Sequence, residues 1–486
     1  MMKHINKISS LLMLLIYLLI LSSITVVNAQ ALNYKIPKYK DFNPNKAAND
    51  IETVVNHKSV IDSNAVDNKV SIDGTAVLQK HEEAVEEING YITKLNNNGM
   101  YLNRDLVNIV TVKINDINFS EFVNIVIDEK NLNQIININT LKIELQNSNE
   151  YISLNNDSIA YIAANYKEFN IQIKKISNTY TVRFLDKSNN IIDKYDVDIK
   201  IALPAEHSEQ TVYLFMNNVQ ENWGGQYNSA IKAMEFMTKY SGEYNIASPD
   251  IVIDDIDDLN DYEKQAIRFM VVRGYFRLDN KKFNPSSKLT RYDFAESLVR
   301  MFFALDDDAQ CSFPDVDKKN YRYVAASQQN NIVQGFDDGT FKGNENVTVE
   351  QVIALTARTI NQENGYVYPE NTNKYLNFTD DNIIGKWAEK EVALAIREGI
   401  YSNDMKLNFS DDISRKDAAI ILYRLFMIMN NTPEPTDIIE YNVGKQIKHE
   451  TVWNKTNAII VCSAAVIINI IALILSTFFI KKRRKG

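Results

Sequence analysis

Hydrophobic and polar positions change texture several times along the 486-residue chain. An apolar run, LLMLLIYLLIL, fills residues 11–21 behind Lys3 and Lys7 and leads to Val27-Asn28-Ala29. A charged start, a short apolar core and a small-residue exit predict a secretory signal over residues 1–29. The run is shorter than a retained membrane helix requires. Residues 30–80 are polar and without sustained periodicity, which predicts a flexible leader. Over residues 81–247, alternating or β-branched runs such as VNIVTVKI, FVNIVI, TYTVRFL and TVYLFM are separated by the turn clusters LNNNG, LDKSNN and NWGG. This spacing predicts a mostly antiparallel β region of its own, with short helices at HEEAVEEINGYITKL and NDSIAYIAANY.

Beyond residue 247 the apolar period becomes helical, and a unit of helix, turn-rich loop and helix recurs every ~60 residues. The units are placed at 248–305, 310–361 and 375–430. In the last, Ala388, Val392, Ala395 and Ile396 share one helix face, and Ala418, Ile421, Leu422 and Leu425 another. Neither hairpin can bury its stripe alone, so a shared core is expected. After a stalk at 431–457, the apolar stretch 458–480 is long enough to cross a hydrocarbon layer of ~30 Å. The basic end KKRRKG, 481–486, predicts a cytoplasmic tail and an external body, a single-pass topology. No LPxTG-like sortase motif precedes the span.

Charge and chemistry narrow the function classes. A net charge of -9 argues against nucleic acid as partner. The two cysteines, Cys311 and Cys462, fall outside and inside the apolar span, so neither an intramolecular disulfide nor a two-thiol metal site is expected. No cofactor or metal motif is present, and His81 and His207 stand without neighbours of catalytic spacing. No catalytic residue is singled out, and a non-enzymatic protein is expected. The alternative is a glycan hydrolase whose carboxylates lie in the β-rich region and meet only in space. A six-residue tail holds no signalling domain, so a receptor would need a partner helix, reached through Asn469.

The starts of the second helices carry the sharpest signal. They read LTRYDFAESLVR at 289–300, VTVEQVIALTAR at 347–358 and ISRKDAAIILYR at 413–424. Thr290 with Asp293, Thr348 with Gln351 and Ser414 with Asp417 have capping-box spacing. Each cap contributes on the order of 1 kcal/mol. Arg291 and Arg415 then occupy a first turn that disfavours positive charge, while Val349 takes that place in the second unit. Either the arginines lie over neighbours and pair with loop acids such as Asp255 or Asp380, or they join the helix amides in a carboxylate or phosphate receptor. The second unit starts its helix without the charge, which separates arginine from folding and favours a ligand role.

These units resemble S-layer homology repeats. The opening motif stands as IDDI (253–256), FPDV (313–316) and FTDD (378–381), the WA pair as Trp387-Ala388, and the glycine turn as RGYFRL, NNIVQGFDDGTF and EGIYSND. The F-x-P element is Phe283-Asn284-Pro285, and the TRAE helix start is TRYD, TVEQ and SRKD. The resemblance implies an all-α, three-fold pseudo-symmetric bundle with grooves that hold secondary cell-wall polysaccharide, often pyruvylated. It implies that Arg291 and Arg415 meet the ketal carboxylate, with Thr290 and Ser414 shaping the helix start. Asp255, Asp315 and Asp380 then order loops, with Trp387 in support; Tyr262 and Lys319 replace the tryptophan elsewhere, and Val349 weakens one groove. The expectation is a wall-bound surface protein anchored through 458–480, whose β-rich region meets an unidentified surface protein.

Overall fold

The computed structural model describes residues 42–216, 218–376, 384–402 and 405–429. The signal at 1–29, Asp380, the stalk, the 458–480 span and the basic tail lie outside the described residues.

Part of the stretch read as a flexible leader is helix and strand. Helix α1 (Pro44–Lys58) starts at a proline, whose missing amide is no loss there, and Asn43 caps it by accepting from the amides of Asn45 and Lys46. Strands β1 (Val60–Asn64) and β2 (Lys69–Ser71) follow, then helix α2 (Gly74–Asn97). Ile51, Val54 and Val55 of α1 pack on Ala84, Ile88 and Leu95 of α2. Next come β3 (Ile109–Asn115), β4 (Val123–Ile127), the short α3 (Glu129–Gln134), β5 (Thr140–Leu145), β6 (Asn147–Asn155) and α4 (Asn156–Asn165). The rest of the region is strand: β7 (Phe169–Ile176), β8 (Thr179–Leu185), β9 (Ile191–Ile192), β10 (Lys194–Pro204), β11 (Thr211–Met216), β12 (Val219–Gly224), β13 (Gln226–Asn228), β14 (Ala233–Tyr240) and β15 (Gly242–Ala247).

The region is mostly β-sheet. One sheet runs β1-β3-β5-β6-β10-β14-β13 and the other β12-β11-β15-β8-β7-β4-β2, with β9 beside β8. Pairings are antiparallel except β1 with β3, β3 with β5, and β2 with β4, which are parallel. The parallel pairs need crossovers, and α2 supplies one between β1 and β3. Alternation along each strand sends Ile143, Ile152, Ile201 and Phe236 of one sheet, and Ile125, Ile171, Val182 and Tyr244 of the other, into a single apolar core.

Six longer helices follow: α5 (Asp261–Val272), α6 (Arg291–Phe302), α7 (Tyr321–Gln329), α8 (Val349–Asn364), α9 (Glu389–Glu398) and α10 (Arg415–Met429). They pair between units: α5 packs on α10, α6 on α7, and α8 on α9. A two- to four-turn helix has a stripe too short to be stable alone, and each finds its cover on a helix from another unit.

The expected fold is corrected on two counts. The helical units do not form a separate all-α three-fold bundle after a β domain. Among the described residues their core is continuous with that of the sheets, and the segment Asn222-Trp223-Gly224-Gly225, read from sequence as a turn, joins the two. Asn222 Nδ2 donates to Val272 O at 3.0 Å, Tyr275 hydroxyl to Gly225 O at 2.7 Å, and Arg300 Nη1 to Asn222 O at 2.9 Å. Gly224 and Gly225 hold φ of +83° and +98°, and a Cβ on Gly225 would stand 2.8 Å from Met234 Cγ, so the close approach requires glycine. Arg273, fully buried, donates from Nη1 to Phe269 O and from Nη2 to Ser208 O, and it stacks on Phe269. The second correction concerns the membrane. No helix among the described residues is long and apolar enough to cross one, and the transmembrane helix expected at 458–480 forms no part of the described fold.

Candidate functional site

The helix starts of α6, α8 and α10 are tied into a ring. Leu289 N donates to Ile413 O at 3.1 Å, Ile413 N to Val347 O at 2.9 Å, and Val347 N to Leu289 O at 2.9 Å. The side-chain caps are in place: Thr290 Oγ1 accepts from Asp293 N at 3.2 Å and Ser414 Oγ from Asp417 N at 3.0 Å. Thr348 and Gln351 complete a reciprocal box.

The first helical amides are already engaged. Arg291 N donates to Glu345 O at 2.9 Å, Val349 N to Asp411 O at 2.9 Å, and Arg415 N to Ser287 O at 2.8 Å. A receptor built from these amides is therefore unavailable, and ligand donors have to come from side chains.

Both arginines reach across to the loop of another unit. Arg291 donates from Nε to Phe341 O at 2.8 Å and from Nη2 to Gln334 O at 3.3 Å, with its guanidinium carbon 4.8 Å from the Phe336 ring centre and 4.7 Å from that of Phe341. Arg415 donates from Nε to Phe283 O at 2.9 Å and from Nη2 to Arg277 O at 2.8 Å, over the rings of Phe276 and Phe283. Its Nη1 lies 3.5 Å from Asp293. Arg291 has no described carboxylate within ion-pair distance, and its Nη1 has no described acceptor. Burial lowers both guanidinium pKa values, opposed by Glu345 and Asp315 at Arg291 and by Asp293 and Asp255 at Arg415. Both remain cations at neutral pH.

The motif acids lie one layer behind. Asp255 accepts from the amides of Phe283 (2.8 Å) and Asn284 (2.7 Å), and Asp315 from those of Phe341 (2.8 Å) and Lys342 (2.7 Å). Burial pushes the Asp315 carboxyl up, but these amides outweigh it and hold the group below the usual carboxylate range. Each acid thus shapes the loop whose phenylalanine carbonyl receives an arginine. Asp380 lies outside the described residues.

Trp387 is 48% exposed and stands beside Gly385, whose amide donates to Glu350. Val349, at the position of the arginines, is buried. Sequence reasoning missed the flanking rings Phe276, Phe336 and Phe341. Their signal was the recurrence of phenylalanine in RGYFRL and GFDDGTF within the glycine turns.

The β region holds a second arrangement that separation in sequence concealed. The register places Glu144 opposite Tyr151, Tyr151 opposite Ala202, and Ala202 opposite Glu235, a row across β5, β6, β10 and β14. Lys142 Nζ is 2.6 Å from Glu144, and Lys200 Nζ 2.9 Å from Glu235. Burial pushes Glu235 up, but Lys200, Asn228 and Tyr151 together hold it below the usual carboxylate range. His81 and His207 have structural neighbours, Asn108 at 3.1 Å and Ser248 at 3.5 Å. Among the described residues no group of three or more His, Cys, Asp or Glu is placed to hold a metal ion.

Comparison with known proteins bears on the loop–helix segment centred on α7. Residues 312–353 match the S-layer homology domain. This domain supports attachment to cell-wall polysaccharide and association with the wall at the cell surface. The match spans one unit; the flanking units fall outside it. An amylopullulanase of Thermoanaerobacterium thermosulfurigenes is 23% identical over 259 residues, 51% of this chain and 14% of that protein. An endoglucanase of Bacillus sp. (strain KSM-635) is 32% identical over 116 residues, 23% of this chain and 12% of that protein. The chain therefore spans less than a sixth of either relative's length.

Both relatives are named as glycoside hydrolases, which overturns the expectation of a non-enzymatic protein. Scattered acids in a β sequence exclude nothing, because strand pairing can set residues far apart in sequence on one face, as the register does for Glu144 and Glu235.

Proposed function

We propose that the protein attaches to secondary cell-wall polysaccharide through three S-layer homology units, at 248–305, 310–361 and 375–430. Arg291 and Arg415 are the cations that meet an acidic substituent of the polymer, such as a pyruvate ketal. Thr290 and Ser414 fix the helix starts, Asp255 and Asp315 order the receiving loops, and Trp387 offers an apolar face to a sugar ring. The observation that carries this reading is the state of Arg291. Its guanidinium stacks between Phe341 and the 37%-exposed Phe336, and its Nη1 has no described acceptor. A cation with a spare donor beside an exposed ring matches a sugar carboxylate. The groove at Val349 lacks this donor and contributes less.

Arg291→Gln keeps much of the side chain's volume and removes the charge. It is expected to weaken retention on native walls about tenfold, the scale of one charge-assisted contact. Undiminished retention would remove Arg291 from the site.

A second reading is glycan hydrolysis in the β region. The names of the relatives favour it. It is tested by release of reducing ends from soluble glucans, pullulan included. Release by the unaltered chain supports it, and no release rejects it for these substrates.

A further inference from the structure

A cavity of about 130 Å³ lies where β13 and β14 meet the C-terminal ends of α6, α8 and α10. Trp223, Phe236 and Phe303 line one side, and Lys200, Glu235 and Asn364 supply polar groups. The indole Nε1 donates to Met237 O at 2.8 Å, which fixes the ring. Asn364 Oδ1 is buried and has no hydrogen-bond partner among the described residues, and the Glu235 carboxylate is held by Lys200 and Asn228, each at 2.9 Å. Arg300 also borders the space, but its guanidinium is taken up by Glu296 (2.8 Å), Tyr323 (2.6 Å) and Asn222 O (2.9 Å).

The chemistry of the lining selects the occupant. A buried acceptor without a donor is costly, so a hydroxyl or water belongs against Asn364. An anion would face Glu235, and a cation would face Lys200 and Arg300. A wholly apolar guest would leave Asn364 unpaired. What fits is a neutral group with hydroxyls on its edge and an apolar face. The volume corresponds to about four waters at ~30 Å³ each, or to most of one sugar ring.

We propose that this cavity binds the terminal ring of an uncharged saccharide, with its C–H face on Trp223 and hydroxyls donating to Asn364 Oδ1 and Glu235 and accepting from Lys200. The site is separate from the arginine grooves. Glu235 is the one carboxylate among its described lining residues, so it is a binding site and not a two-carboxylate hydrolytic centre.

The chain has three tryptophans, Trp223, Trp387 and Trp453, so Trp387→Phe with Trp453→Phe leaves Trp223 as the sole indole reporter in the full chain. Titration with glucose, N-acetylglucosamine and maltose is expected to change its fluorescence saturably, while glycerol and gluconate do not. Asn364→Leu, added to this background, is expected to abolish the response while raising the melting temperature, because it replaces an orphaned acceptor with an apolar group. The rise in melting temperature separates lost binding from lost folding. No saturable response to any of the three sugars, or an equal response in Asn364→Leu, overturns the proposal in favour of a water-filled joint. The readout uses free sugars and no walls, so its failure leaves the wall-attachment reading standing.

Discussion

Arg415→Ala is expected to lower the free energy of unfolding by about 3 kcal/mol, the scale of two hydrogen bonds from a charged donor left unmade. The side chain links the start of α10 to the carbonyls of Phe283 and Arg277 and stacks on Phe276 and Phe283. Its pair with Asp293, at 3.5 Å, adds less than the carbonyl bonds. Arg291→Ala is expected to cost less, about 1–2 kcal/mol, because its second bond is long at 3.3 Å and no described carboxylate is paired with it. Urea unfolding of both variants measures the difference. An unchanged midpoint for Arg415→Ala would mean that the arginine serves only a ligand. Helix initiation does as well with Val349 as with arginine, and the loss expected for Arg415→Ala arises at the contact between units, where Arg415 donates to loop carbonyls.

The second large effect is expected at Asp255. Its carboxylate accepts from the adjacent amides of Phe283 and Asn284, so Asp255→Ala leaves two donors to find other partners and should cost about 2–3 kcal/mol. The same loop presents the Phe283 carbonyl to Arg415. The two substitutions should consequently be non-additive, with the double variant at least ~1 kcal/mol less destabilised than the sum of the singles. Additive losses in a double-mutant cycle would show that Asp255 and Arg415 act on separate structures.

The sequence showed local periodicity and hid the partners. Alternation over 81–247 announced sheets, and the hydroxyl residues at Thr290, Thr348 and Ser414 announced helix starts that carry side-chain caps in the structure. Helix α1 was missed: Ala47, Ala48, Ile51, Val54 and Val55 recur at helical spacing behind an Asn-Pro start, but the polar average of the segment masked them. β1 and β2 were not legible, because runs as short as VIDSN and KVS become strands only when a parallel partner is present.

Pairing was the larger omission. A stripe such as Ala418, Ile421 and Leu422 marks a face but not what covers it, and the cover came from α5 and the continuous core with the sheets. The arginines' closest acceptors are backbone carbonyls, which leave no side-chain signature at all. Glu144 and Glu235 meet one row only through the register of four strands.

Attachment through the arginine grooves is tested most directly by incubating the full chain with native walls and with walls from which pyruvate has been removed, alongside Arg291→Gln and Arg415→Gln variants shown to be folded. Retention on native walls, lost on stripped walls and weakened in both variants, is the predicted result. Equal retention on both kinds of wall by all three proteins would contradict it.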